Sequence, residues 1–419
     1  MQEFTESDVI ERFESNVRIY CRGFPAVLAS ASGSLIRDNQ GKEYIDFLTA
    51  AGSLNYGHNH PALKQAVIDY LAADGITQTL DFTSTAKVDF IRDFNQKILQ
   101  PREMDYKMQF TGPTGANSVE AAIKLARKVT GRRPIAAFTN AFHGVSLGAL
   151  ALTGNRSKRE AAGVALGDVI RLPFDGYMGE GGSTLDYIRK LFRDPSSGID
   201  LPAAFIVETI QGEGGVNCAS VEWLQGLSAL ASELDALLIV DDIQAGCGRS
   251  GSFFSFESMG IRPDLICLSK SISGLGLPMA MLLIDRRLDV WAPGEHNGTF
   301  RGGNLSFVAA TAALAFWQER EFVSGLATRI ERLSGGVADI VGSLPPHVAR
   351  CKGRGMLMGI EFSEAAQAER TRIMAAERGL LIETSGAHDQ VVKLMPALNV
   401  PLPLLEQGLR ALAQAVRAS

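Results

Sequence analysis

The pattern of the chain predicts an α/β fold: a large domain with a mostly parallel sheet covered by helices, and a smaller α+β domain. Three observations carry this expectation. Short apolar runs at 134–138, 204–207, 237–240, 265–268 and 279–284 alternate with helical stretches. Strands that are apolar on both faces and separated by helices form mostly parallel sheets with helices on each side. At 419 residues the chain is too long for one simple core, and near residue 325 the pattern changes to short strands with glycines between them.

The elements follow in order. The first segment has hairpin character: residues 27–37 lead to a turn at Asp38-Asn39-Gln40-Gly41, and residues 42–47 alternate as a strand should. Residues 62–73 form a helix with Leu63, Ala66, Val67, Tyr70 and Leu71 on one face. Residues 119–128 form a second helix, stopped by Gly131. In the C-terminal part, 353–362, 379–382 and 391–394 read as strands and 404–416 as a closing helix. The N-terminal segment is expected to pack with this part. The domains are then residues 1–58 with 325–419 (small) and 59–324 (large).

A net charge of −5 argues against nucleic acid or an anionic membrane as the main partner. No run reaches the roughly 18 apolar residues of a membrane span. The start, Met1-Gln2-Glu3-Phe4-Thr5-Glu6, is acidic and lacks the basic start and apolar core of a signal peptide. Five scattered cysteines without zinc spacing read as reduced thiols in a cytoplasmic protein. Gly57-His58-Asn59-His60 reads as a turn rather than a metal pair, and no metal is expected.

The chemistry lies at two strand ends. Leu265-Ile266-Cys267-Leu268 runs into Ser269-Lys270, and Leu237-Leu238-Ile239-Val240 runs into Asp241-Asp242. A lysine so placed can form an imine with an aldehyde cofactor, and an aspartate can keep a pyridine nitrogen protonated. Together they suggest pyridoxal 5'-phosphate. Either alone is uninformative, since most strand-end lysines are simply exposed.

The stretch from Asp241 through Gln244 and Gly246 to Gly248-Arg249-Ser250-Gly251 resembles the D-E-x-Q-x-G-x-G-R-x-G signature of the class III aminotransferases. Asp241 precedes Lys270 by 29 residues, the spacing of that family. The resemblance implies fold type I of the pyridoxal-phosphate-dependent transferases. It also implies roles. Gly112-Pro113-Thr114-Gly115-Ala116 resembles the phosphate-binding turn, with amides offered by Gly115 and Ala116. Phe142-His143-Gly144 resembles the segment whose aromatic residue stacks on the pyridine ring. Val207-Glu208-Thr209-Ile210-Gln211-Gly212-Glu213-Gly214-Gly215 matches an element with Glu208 near the ring and Glu213 near the substrate entrance. Gln244 would meet the phenolic oxygen, Asp241 the ring nitrogen, and Lys270 the aldehyde. Thr299, in His296-Asn297-Gly298-Thr299-Phe300-Arg301-Gly302-Gly303-Asn304, would reach the phosphate of the neighbouring subunit, which implies a homodimer or dimer of dimers. Asp242 stands where the family usually has glutamate.

The substrates implied are small amino and keto acids. Relatives commonly clamp a carboxylate with an arginine at the position of Lys393, but lysine offers a point charge without the planar fork. Lys393 is therefore expected to hold a substrate carboxylate, with an exposed lysine on an edge strand as the blander reading. Runs around Asn55-Tyr56-Gly57-His58, Gly112-Pro113-Thr114-Gly115 and Glu295-His296-Asn297-Gly298-Thr299 resemble the diaminobutyrate–2-oxoglutarate transaminase branch of the ectoine type. The alternatives are another class III ω-aminotransferase or an aminomutase.

Overall fold

The computed structural model describes residues 6–179 and 181–419. The first five residues, where the acidic start was read, lie outside the described residues. A seven-stranded sheet forms the centre, in the order Tyr106–Phe110, Met281–Asp285, Leu265–Leu268, Leu237–Asp241, Ala204–Val207, Ile135–Phe138 and Val169–Leu172. Met281–Asp285 runs against both neighbours, and the other pairs are parallel. All five runs expected as strands are in this sheet. Its two edge strands were not expected: they are short and only partly buried, so neither reads as an apolar run.

The alternation of side chains across the sheet builds two cores. Phe138, Phe205, Leu238, Val240, Ile266, Leu268 and Met281 face one layer. Ile135, Ala137, Ile206, Ile239, Leu265, Cys267 and Leu282 face the other, where the helix Gly115–Thr130 packs. That helix ends at Gly131 in the left-handed conformation, as expected.

Two expectations need correction. The hairpin across 38–41 forms, Leu35–Asp38 against Glu43–Asp46, but residues 27–37 are not one arm of it: they fold back as a further hairpin, Leu28–Ser32 against Leu35–Asp38. Residues 353–362 are likewise split, into Ala349–Arg354 and Leu357–Phe362. Gly355 turns the chain there at φ +70°, and a Cβ would come within 2.4 Å of Ser250. The helix Pro61–Ala72 forms, but of its expected apolar face only Leu63 is buried; Leu71 is exposed.

A second four-stranded sheet has the order Ala349–Arg354, Leu357–Phe362, Val391–Leu394, Glu383–Ser385. Its core joins Ile360, Val392 and Leu394 to Leu405, Leu409 and Leu412 of the closing helix Leu402–Ala418, and to Ile45 and Phe47 from the N-terminal segment. The strand Leu380–Leu381 pairs in parallel with Glu43–Asp46. Among the described residues no helix is long and apolar enough to cross a membrane.

Candidate active site

Three adjacent parallel strands deliver the central residues. Val240 is level with Val207, and Asp241 with Cys267. Glu208, Asp241 and Lys270 therefore emerge together at the carboxyl ends of neighbouring strands, where open α/β sheets bind ligands.

Asp241 is buried, and its Oδ2 lies 2.7 Å from Nδ1 of the buried His143. A carboxylate can only accept, so Nδ1 carries the proton. Asp241 Oδ1 accepts from the Ile243 N–H at 3.2 Å. The neighbouring Asp242 points elsewhere: its Oδ2 accepts from the Ser255 N–H at 3.0 Å, and burial raises its carboxyl to about 7. It shapes the turn behind the strand.

Lys270 starts a short 3-10 turn with φ +50°, a costly conformation for a side-chain-bearing residue. Its neighbours fix it there. Ser269 Oγ donates to Met279 O and Ser271 Oγ to Gly52 O, both at 2.8 Å. No described residue accepts a hydrogen bond from, or pairs with, Lys270 Nζ. Burial lowers its pKa, against the opposing pull of the Glu213 carboxylate.

Glu208 Oε1 accepts from the Phe142 N–H at 2.9 Å. Burial, then the Asp241 charge, pushes its carboxyl well above the ordinary carboxylate range. Phe142 is half-buried on the wall of a cavity of about 950 Å3. Gln244 is buried, and its Nε2 donates to Ala51 O at 3.1 Å and to Glu213 Oε1 at 3.2 Å. Gly212 permits this approach, since a Cβ there would fall 1.7 Å from Gln244 Oε1. Gly115 and Ala116 open the long helix after Thr114, whose N–H and hydroxyl both donate to Asn117 Oδ1. First-turn amides have no acceptor within their own helix, so these two are available to an anion.

Lys393 is wholly buried in an inner strand, which removes the reading of an exposed edge-strand lysine. Its Nζ lies 2.6 Å from Glu213 Oε1 and 2.8 Å from Glu383 Oε1. Burial opposes its charge, but the two carboxylates outweigh that and hold its pKa above the ordinary value. Burial likewise opposes charge on Glu213; Lys393 and Lys270, with hydrogen bonds from Lys393 and Gln244, overcome it and hold the carboxyl at about 2.

Sequence reasoning missed Glu383 and Tyr20. Glu383 lies directly across the strand pair from Lys393, and both Glu383 and Tyr20 line the cavity with Phe142 and Glu213. An acidic residue ending the apolar run 379–382 was the available sign for Glu383. Of the residues expected from the sequence, Phe142 and Glu213 line that cavity, and Thr299 is exposed on the loop after Trp291.

Residues 21–416 match the family model for class-III aminotransferases. A diaminobutyrate–2-oxoglutarate transaminase from Nocardia farcinica is 52% identical over 98% of this chain and 94% of its own. Its namesake from Bordetella parapertussis is 51% identical, over 96% and 93%. Among solved structures, an ornithine aminotransferase from Toxoplasma gondii matches with a TM-score of 0.86 at 24% identity, over 100% of this chain and 96% of that one. A Bacillus anthracis aminotransferase gives 0.87 at 21%, over 99% and 98%. These two share the fold. With the family model matched over nearly its whole length and relatives identical at half their positions, the chain belongs to the class III aminotransferases.

Proposed function

We propose that this chain is a pyridoxal 5'-phosphate-dependent transaminase that exchanges an amino group between L-glutamate/2-oxoglutarate and L-aspartate 4-semialdehyde/L-2,4-diaminobutyrate. The names of its half-identical relatives support the substrate pair. The observation that carries the chemistry is a buried Lys270, unpartnered among the described residues, beside the Asp241–His143 pair. The residues fit the cofactor. His143 Nε2 and Gln244 Oε1 are buried without hydrogen-bond partners among the described residues, and a half-turn of the Gln244 amide would present an N–H at the same point.

Bound here, pyridoxal 5'-phosphate supplies an aldehyde for the amino group and a ring that takes up the electron pair left when a C–H proton departs. Lys270 Nζ would hold it in the resting enzyme. Once displaced by the substrate amine, Nζ would take the proton from the reacting carbon and return it; burial lowers its pKa and so favours the neutral, basic form. The Asp241 carboxylate, oriented by His143 Nδ1–H, would keep the proton on the ring nitrogen. Burial and the Asp241 charge both disfavour a second charge on Glu208 beside it. Phe142 would cover one ring face, Gln244 would meet the phenolic oxygen, and the Gly115 and Ala116 N–H groups would bind the phosphate. Thr299 of the partner subunit would complete that phosphate site, which makes the active unit a homodimer. Strand pairing of Leu380–Leu381 with Glu43–Asp46 supports a small domain of residues 1–58 and 325–419 beside a cofactor-binding domain of residues 59–324.

The two donors differ at the reacting carbon. Glutamate carries a carboxylate there; the terminal carbon of diaminobutyrate carries only hydrogen. Lys393 would bind that carboxylate when Glu213 turns aside, and Glu213 would cover Lys393 when the diamine is bound. A donor panel with 2-oxoglutarate tests the reading. L-2,4-diaminobutyrate should exceed ornithine and 4-aminobutyrate in kcat/KM at least about tenfold, a preference of roughly 1.4 kcal/mol. A higher value for either rival would overturn it.

A further inference from the structure

Lys158 differs from the two arginines that line the cavity. Arg156 pairs with Glu160 and Arg372 with Glu369. Lys158 Nζ has no hydrogen-bond or ion-pair partner among the described residues. It lies 5.8 Å from the centroid of the Phe142 ring, and the side chain is half-buried. The backbone beneath it is fixed, since the Lys158 N–H donates to Asn155 Oδ1 at 3.1 Å. An ammonium drawn partly out of water and left without a counter-ion favours an arriving anion.

Resting on the proposed function, we infer that Lys158 binds the carboxylate that both substrates carry at the same distance from the reacting carbon, and thereby sets substrate specificity. In glutamate, two carbons separate the reacting C2 from the far carboxylate. In diaminobutyrate that reacts through C4, two carbons again separate C4 from the carboxylate. A group common to both substrates calls for a cation that is always open, and Lys158 is open. The carboxylate that only glutamate and 2-oxoglutarate carry at the reacting carbon calls for a cation that can be covered, and Lys393 is covered by Glu213 and Glu383. Lys158 and Glu213 line the same cavity.

Lys158→Met keeps the apolar stem and removes the charge, and Lys158→Arg restores a charge. In the cofactor-loaded enzyme, Lys158→Met should raise KM for diaminobutyrate and for 2-oxoglutarate alike, by about ten- to a hundredfold, the worth of one charge-assisted contact. Lys158→Arg should recover most of that loss. For 1,3-diaminopropane, which is diaminobutyrate without its carboxylate, the loss should be at least tenfold smaller. Calorimetric binding of unreactive glutarate should weaken by the same factor as KM. If Lys158→Met fails to fold, judged by its melting curve, Lys158→Gln is read in the same way. Unchanged KM and unchanged glutarate affinity would make Lys158 a solvated surface lysine and overturn the inference. A loss confined to 2-oxoglutarate would overturn it too. Failure of the wild-type enzyme to use diaminobutyrate would strike the proposed function instead, and glutarate binding would still judge Lys158.

Discussion

Lys393→Met removes a buried ammonium from between two carboxylates while keeping most of the stem. The wild-type contacts are 2.6 Å to Glu213 and 2.8 Å to Glu383, with Lys393 wholly buried. Glu213 is held at about 2 against an ordinary 4.5. At 1.36 kcal/mol per unit, its charged form favours the folded state by about 3 kcal/mol at neutral pH. Lys270 shares in that depression, so this is a ceiling for Lys393's part through Glu213. Removing one partner of a buried pair typically costs about 3–5 kcal/mol. Urea titration at pH 7 should therefore show a loss of about 3 kcal/mol. The sign with pH follows from the depressed carboxyl. Its contribution is complete above the unfolded value of 4.5 and disappears as pH falls toward 2. The gap between wild type and variant should close across that window. A gap under about 1 kcal/mol at pH 7, or one that widens on acidification, would refute the pairing argument.

Three further outcomes follow from the site. Lys270→Ala should lower turnover by several orders of magnitude with an unchanged circular dichroism spectrum, and near-normal turnover would show that another group carries the chemistry. Asp241→Asn removes charge at constant shape and should slow single-turnover deprotonation far more than Asp242→Asn, whose parent carboxyl faces Ser255 instead; the reverse ranking contradicts the assignment. Mixing Lys270→Ala with a Thr299→Ala variant carrying a bulky block on its loop should restore activity through hybrid dimers, whereas an active monomer in sedimentation would end the shared-site reading.

The sequence was most legible where local chemistry suffices. The buried strands ending in Asp241 and Lys270 announce themselves, because a parallel strand covered on both faces has almost no polar residue until it leaves the sheet. The edge strands Tyr106–Phe110 and Val169–Leu172 carry lysine, glutamine or arginine in mixed surroundings, so periodicity passes over them. Register was the larger gap. Glu383 meets Lys393 because Glu383–Ser385 and Val391–Leu394 pair antiparallel at that position, and no local pattern states a register. Glu213 reaches Lys393 across 180 residues of chain, so Lys393 looked free to be a surface lysine until the sheet was seen to enclose it. Thr299 is different in kind: its expected partner is another copy of the chain, and within one copy it stays exposed.

In the proposed reaction nitrogen leaves the terminal carbon of diaminobutyrate and arrives on 2-oxoglutarate. L-2,4-diaminobutyrate labelled with 15N only on the C4 amine tests it directly. After incubation with the cofactor-loaded enzyme and 2-oxoglutarate, nuclear magnetic resonance should find the label in glutamate, matched by an equal amount of the C4 aldehyde. Unlabelled glutamate would mean that the C2 amine moves instead, and no glutamate at all would mean that the chain does not catalyse this exchange.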